Sequence, residues 1–427
     1  MYDNKVYEVK KENVELTVGT DKSGHILLPP EVAKMLGMAD GANLRIILHR
    51  DRIEVFPNIH SLARVYIEPT SRCNLKCETC IRNTWKEPMG DMDIQVFDKL
   101  MDQLKEFNEL QSVMFGGFGE PTANRDILYM IGRAKSLGVE VEMTTNGTLL
   151  DDKMLEGLMD KKLDMLWVSF DGTSESNFED VREGASFNSV VENLKSLKRL
   201  NRKSNHRIKV GIAFVVMKKN INDLGNINVL AKSVGATKIS ISNVLPYSRE
   251  MADQMLCDLT VTEGNIHYLP DSITVSLPLI DRKEITKEPL YRLLVNNKNI
   301  SVMTNRIGAE TSKCRFIKER CTFIRWDGMV CPCMGLLHSY KTYLNSNNLE
   351  REILSYALGD INSKSLKNIW DSQEYHDFRE KVDMFDFSPC YSCGGCDFAE
   401  KNHEDCFGNK FPTCGGCLWA QGVIQCP

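Results

Sequence analysis

No run of apolar residues in this 427-residue chain is long enough to span a membrane, and Met1-Tyr2-Asp3-Asn4-Lys5 has no signal-peptide pattern. A cytoplasmic protein with no membrane partner is therefore expected. Charge of one sign is lacking too: a formal net charge of −5 creates no field that would gather nucleic acid or anionic lipid. A disulfide scaffold is disfavoured, because the 15 cysteines are odd in number and accompany no secretion signal. With 42% hydrophobic and 26% charged residues, the composition is that of an ordinary globular protein of two or three domains.

Clustered cysteine is what the chain does have. Three lie at Cys73, Cys77 and Cys80, one at Cys257, and eleven between Cys314 and Cys426. Cys257 reads as a buried thiol. Cys73-x₃-Cys77-x₂-Cys80 follows an apolar run, Val65-Tyr66-Ile67, and Pro69. A short loop with three thiolates can ligate three irons of a cubane cluster and leave the fourth open to a small molecule. Paired cysteines also occur in structural zinc sites, but the order of the motifs that follow favours iron and sulfur. Thiolates and clusters of this kind are attacked by oxygen, which points to an anaerobic or strongly reducing setting.

From Arg64 to about Val244 the pattern alternates strand with helix. Strands are expected at Arg64–Glu68, Ser112–Gly116, Val139–Thr144, Met165–Phe170, Ile208–Val216 and Lys238–Asn243. Helices are expected at Ile94–Phe107, Asp126–Leu137, Asp151–Lys161, Val190–Leu200 and Asn222–Val234. Such βα repeats build a parallel sheet or barrel with its site at the C-terminal strand ends. Gly116-Gly117-Phe118-Gly119-Glu120-Pro121 follows the second strand, where glycines admit a ligand to the backbone and an acid can accept from an ammonium group. Thr144-Thr145-Asn146-Gly147-Thr148 follows the third strand, and Ser169-Phe170-Asp171-Gly172 the fourth, with Arg182 shortly after.

In this order the motifs resemble the radical S-adenosylmethionine (SAM) enzymes. The resemblance implies an α/β fold, a partial (β/α)₆ barrel of the TIM type, with a [4Fe-4S] cluster on Cys73, Cys77 and Cys80. SAM then sits on the open iron, and one electron cleaves it to a 5′-deoxyadenosyl radical. It also implies that Gly117, Gly119 and Glu120 hold the amino group of SAM. Thr145 and Asn146 are expected near the cofactor, Ser169 and Asp171 at the ribose hydroxyls, and Arg182 at the carboxylate. Thr79 stands where that family often has an aromatic residue beside adenine, and Trp85 or Ile81 is the expected substitute.

Residues 1–58 read as a separate small β unit. Val14–Val18, Leu44–Leu48 and Asp51–Val55 alternate as strands, and a short helix Glu31–Leu36 is ended by Gly37. The pattern resembles the swapped-hairpin domain of the AbrB and SpoVT transition-state regulators, which implies a homodimer formed through these residues. Eight Lys/Arg against nine Asp/Glu weaken a DNA-binding role and favour dimerisation or docking. Residues 62–245 form the expected barrel, and 246–313, with scattered prolines, read as barrel closure and linker.

In the last segment, 314–427, Cys314 is followed by thirteen residues, Gly328, four residues and Cys333. Then come Cys390-x₂-Cys393-x₂-Cys396, Cys406, Cys414-x₂-Cys417 and Cys426. This resembles the SPASM domain of radical SAM maturases and implies two auxiliary [4Fe-4S] clusters, three in all. Those nine cysteines are the candidate ligands, with Cys321 and Cys331 as spares. The later spacing departs from the SPASM pattern and leaves individual ligand assignments open, and zinc ribbons are the other reading of these pairs. Together with Arg325-Trp-Asp-Gly and Leu336-Leu-His338-Ser-Tyr, the tail resembles radical SAM maturases associated with tungsten-cofactor oxidoreductases. The expected substrate is thus a protein, peptide or cofactor, possible partners being a tungsten oxidoreductase and a ferredoxin or flavodoxin as electron donor. Cross-linking of a ribosomally made peptide is the alternative, followed by a metal-sensing DNA-binding regulator.

Overall fold

The structure, a computed structural model, describes residues 19, 21–23, 25–26, 28–35, 45–48, 50–51, 53–56, 58–257, 274–278, 280–281, 283–296, 299–302, 314–344, 349–391 and 396–427. Near the N-terminus, β1 (Arg45–Leu48) and β2 (Ile53–Phe56) pair antiparallel, with Arg45 opposite Phe56 and Leu48 opposite Ile53. A one-and-a-half-turn helix, Pro30–Met35, precedes them. Ile46, Leu48 and Ile53 leave at least half their surface open. The expected strand Val14–Val18 lies outside the described residues.

The six strands expected after Arg64 all form: β3 (Arg64–Ile67), β4 (Ser112–Phe115), β5 (Glu140–Thr145), β6 (Met165–Ser169), β7 (Lys209–Val216) and β8 (Lys238–Asn243). Each pairs in parallel with the next, as βα connections require. All four residues of β4 are buried, because one face meets helices and the other the barrel interior. In the helix Ile94–Leu104, Phe97, Leu100, Met101 and Leu104 recur at helical spacing and are buried, and the Asp93 side chain caps the N-terminus by accepting from Gln95 N.

Two features go beyond the sequence expectation. The segment read as closure and linker contributes strands of its own, β9 (Thr274–Leu277) and β10 (Asn299–Val302), which extend the parallel sheet past β8. At the opposite edge the Cys-rich region supplies β11 (Cys321–Ile324), which pairs parallel with β3, followed by β12 (Met329–Cys331). A hairpin, β13 (Tyr340–Leu344) and β14 (Leu349–Ile353), stands apart, and β15 (Gly359–Asp360) completes the main sheet beside β12. Among the described residues eleven strands thus run in one sheet, ordered β10-β9-β8-β7-β6-β5-β4-β3-β11-β12-β15. The auxiliary region is built onto the barrel sheet rather than hung from a linker.

The seam between β3 and β11 is closed by main chain and aromatics together. Ala63 N donates to Arg320 O and Glu68 N to Ile324 O, at either end of the pairing. Tyr66 and Phe323 stack with ring centroids 4.3 Å apart and planes 5° from parallel. Replacing Phe323 by Ala removes a buried ring from that seam. The expected loss is about 3–5 kcal/mol of stability, the usual range for a core Phe→Ala change, read by chemical denaturation, with Phe323→Leu recovering much of it.

Candidate active site and cluster sites

At the C-terminal ends of the strands lies a cavity lined by Cys73, Cys77, Thr79, Cys80, Ile81, Gly117, Phe118, Gly119, Glu120, Thr145, Asn146, Ser169 and Arg182. Ten of the eleven residues expected at this site therefore converge; the exception, Asp171, is described below. The three loop cysteines are partly exposed into this space. Burial pushes the Cys77 thiol up to about 11, against the opposing pull of Arg182, and raises Cys73 as well. Such thiols lose their protons to a metal rather than to water. Three sulfurs on one short loop, facing a cavity, fit a cubane with one iron left for a ligand.

The glycine loop is there because the chain needs it. A Cβ at Gly119 would lie 2.0 Å from the carbonyl oxygen of Thr70, a backbone atom that cannot swing away. Gly117 has φ +119°, a conformation few L side chains adopt, and sits against the Glu68 side chain. Glu120 is 2% exposed, and its carboxylate is heavily engaged. Oε1 accepts from Thr122 N, Thr122 Oγ1 and Thr145 Oγ1, and Oε2 accepts from Asn146 N at 2.7 Å. It ties the β4 and β5 loops together as one wall. Asn146 Nδ2 then reaches to 3.8 Å from Cys73 Sγ and donates to Asn74 Oδ1.

Asp171 was expected at the ribose hydroxyls, but it is fully buried and does not line the cavity. Its Oδ1 accepts from Val215 N, and its Oδ2 is 2.9 Å from Arg182 Nη2. The guanidinium in turn points Nη1 toward Cys77 Sγ at 3.9 Å. Burial works against the charge of Arg182, yet Asp171 and the Cys77 sulfur more than offset it and hold the guanidinium above its ordinary value. Asp171 orients a cation beside the cluster loop. Ser169 alone of its pair faces the cavity. Of the residues expected to replace the missing aromatic, Ile81 lines the cavity. Trp85 turns away and packs at 4.1 Å on His338. Phe118, inside the glycine loop, adds an aromatic ring to the lining.

A second cavity collects Cys314, Cys333, Cys414 and Cys417 amid Phe316, Ile317, Tyr340 and Leu418. Burial pushes the Cys314 thiol up to about 12 and raises the other three; neighbouring sulfurs of the set add to this for Cys314, Cys333 and Cys414, and the amides of Trp419 and Ala420 oppose it at Cys417. Four sulfur donors in an apolar shell are the complete ligand set of a [4Fe-4S] cluster. Gly415 makes this possible, since a Cβ there would fall 1.8 Å from Ser388 O. Cys390 is buried with its sulfur 2.9 Å from Ser388 Oγ, Cys396 and Cys406 are exposed, and Cys393 lies outside the described residues. Cys321 and Cys331 are buried within β11 and β12, and Cys257 is a core thiol.

Cys426, expected among the auxiliary ligands, lines the central cavity instead, with Trp419, Ile424, Gln425 and Pro427. The tail is held there by the barrel: Asn243 Nδ2 donates to Val423 O, Gln425 N to Ser242 Oγ, and Gln425 Nε2 to Ile241 O. The serine face of β8, Ser240 and Ser242 alternating with Ile239 and Ile241, was the available signal for a polar-lined interior. Outside these sites, His60, His376 and Glu380 come close together. Their geometry is that of a hydrogen-bonded stack: Arg379 Nε donates to His60 Nδ1, which leaves the proton on Nε2, aimed at Glu380, and the two imidazoles lie parallel 3.9 Å apart.

Residues 67–227 match the model of the radical SAM superfamily, and residues 314–397 match that of the SPASM iron-sulfur cluster-binding domain. The chain is 31% identical over 367 residues to the tungsten-containing aldehyde ferredoxin oxidoreductase cofactor-modifying protein of Pyrococcus furiosus, covering 85% of this chain and 96% of that one. It is 29% identical over 181 residues to the PqqA peptide cyclase of Granulibacter bethesdensis, covering 42% of this chain and 46% of that protein. Among solved structures, Streptococcus suis SuiB bound to S-adenosylmethionine superposes with a TM-score of 0.50 at 19% identity, over 78% of this chain and 71% of that one.

Two substitutions check the geometry. Gly119→Ala should remove SAM binding while leaving iron content intact, because its Cβ collides with fixed backbone; equilibrium dialysis with labelled SAM reads it. Asp171→Asn strips the counter-charge from a buried guanidinium and should cost about 3–5 kcal/mol of stability in denaturation.

Proposed function

We propose, from the premise that this chain belongs to the radical SAM superfamily, in the SPASM-bearing family of the tungsten-containing aldehyde ferredoxin oxidoreductase cofactor-modifying protein, that it matures a tungsten-dependent oxidoreductase or its cofactor. The chain is a radical SAM enzyme. The observation that carries the finer reading is the family likeness along nearly the whole of both chains, combined with a cavity that gathers the cluster loop, the glycine loop and Arg182.

Cys73, Cys77 and Cys80 would hold a cubane cluster, which when bound would supply the electron for reductive cleavage of SAM. The residues present suit such a guest. The Gly117–Gly119 loop lines the cavity and would offer backbone carbonyls to an ammonium group, and Arg182, oriented by Asp171, would offer a cation for a carboxylate. Ser169 offers a hydroxyl for a sugar. Tyr66, Phe118, Phe214 and Trp419 form an apolar wall that keeps water from a reactive carbon. Cys314, Cys333, Cys414 and Cys417 would hold one auxiliary cluster. Cys390, Cys396 and Cys406, with Cys393, are proposed for the second. A ferredoxin or flavodoxin is the proposed electron donor, and the open Ile46, Leu48 and Ile53 of the N-terminal hairpin suit a homodimer.

Anaerobically reconstituted protein should hold about twelve irons per chain, three cubanes of four, and should form 5′-deoxyadenosine from SAM under reduction. Changing Cys73, Cys77 and Cys80 together to Ala should remove about a third of the iron and all cleavage. Co-purification from native anaerobic cells should bring down a tungsten oxidoreductase. Recovery of a short Cys-rich peptide, modified on incubation with SAM, would establish the peptide-maturing alternative instead. Deleting residues 1–58 should give a monomer by sedimentation that still cleaves SAM, since every motif for that chemistry follows Arg64.

A further inference from the structure

We propose that His338 is a positioning residue which, as an imidazolium held between Glu68 and Glu87, draws together the two ends of the cluster loop and couples the Cys-rich region to the SAM pocket. The inference rests on the reading of that pocket as a SAM site, but the clamp itself is a matter of three side chains, His338 and Glu68 buried and Glu87 partly exposed.

Glu68 directly follows β3 and precedes Cys73, and Glu87 comes after Cys80, so the two acids flank the loop that carries the three cysteines. His338 arrives from elsewhere, a few residues beyond Cys333. Its Nδ1 is 2.8 Å from Glu87 Oε2, and its Nε2 is 3.0 Å and 3.2 Å from the two oxygens of Glu68. A neutral imidazole carries one N–H and would present a lone pair to one of these carboxylates; only the imidazolium donates to both. The ring is 1% exposed, and Trp85 and Phe118 pack on it. Glu68 in turn accepts from Phe118 N and lies against Gly117, so the histidine's partner is seated on the glycine loop. Glu87 also accepts from Ser339 N. None of the three side chains lines the cavity.

Among the described residues, the other charged or titratable groups around the ring are few. Arg325 Nη1 stands 3.9 Å from Glu87 and is itself paired with Asp327, and the buried Cys331 thiol lies on the neighbouring strand. Burial disfavours the charged ring, but the hydrogen bonds from it to Glu68 and Glu87 prevail and bring His338 to about 8, above its ordinary 6.5. The sign follows from that. A group raised on folding contributes its full stabilisation below its unfolded value near 6.5, and the contribution is lost as pH rises through about 8.

The test uses full-length protein in two forms. Without SAM or cluster, the protection of residues 68–91 against hydrogen exchange, taken relative to the intrinsic rate at each pH, should be high at pH 6.5 and fall through a midpoint near 8. In His338→Ala it should be low at both pH values. In Glu87→Gln, which keeps an acceptor but loses one charge, the midpoint should move down. In reconstituted protein, His338→Ala should keep its iron and its kcat for 5′-deoxyadenosine, while the KM for SAM rises about tenfold, the size of one lost hydrogen bond to a charged group, and no longer changes between pH 6.5 and 8.5. His338→Gln, with one donor in place of two, should fall between. An unmoved midpoint in Glu87→Gln, or a His338→Ala variant whose KM still follows the wild-type pH profile, would overturn the proposal. Wild-type protein that shows the exchange midpoint but binds no SAM would overturn the pocket reading and leave the clamp standing.

Discussion

Strand β3 is hydrogen-bonded on both edges, to β4 on one side and to β11 on the other, and the rest of the structure is placed relative to it. Its exit, Glu68-Pro69-Thr70, runs directly into the cluster loop. A parallel strand fixed on both sides has no freedom to slip, because a one-residue shift would send Val65 and Ile67 to the wrong face. The three loop sulfurs therefore start from a rigid base. The same pairing brings the Cys-rich region alongside the barrel from its first strand onward.

From that base the site is assembled by close approach. Gly119 lets the β4 loop lie against Thr70 at a distance no side chain tolerates, and Gly415 does the same for the auxiliary cavity against Ser388. Gly90 repeats the device at the seam, where a Cβ would enter the ring of Trp326. In each case the absence of a side chain brings two loops into contact, and in two of the three the contact borders a set of sulfurs. Buried charge is handled with equal economy: Asp171 faces Arg182, Glu120 is saturated by donors, and Glu68 and Glu87 share His338.

The βα repeat was legible because its signal is local. Six strands and the helices between them follow from period-two and period-3.6 patterns over ten or so residues, and all six strands appear within a residue or two of their expected ends. Strands β9 and β10 were not legible, since they lie in a segment of scattered prolines and mixed charge with no clear period, and only neighbouring strands make them strands. Asp171 shows another limit. Its place after the fourth strand matched a binding motif, yet the side chain turns inward, because a buried Arg182 needs a counter-charge more than the cavity needs an acid there.

The sequence by itself determined the chemistry of the main site. Three cysteines on eight consecutive residues stay within reach of one cluster because the chain between them is short, and the glycine, threonine and serine motifs follow in the order that a βα fold requires. Tertiary structure decided which of the later cysteines meet. Cys314, Cys333, Cys414 and Cys417 span a hundred residues, and their convergence depends on how β11, β12 and the closing turns stack, which no spacing rule encodes. It also sent Cys426 into the barrel and His338 between two distant acids. Short separations leave the chain little choice; long ones are settled only by what packs against what.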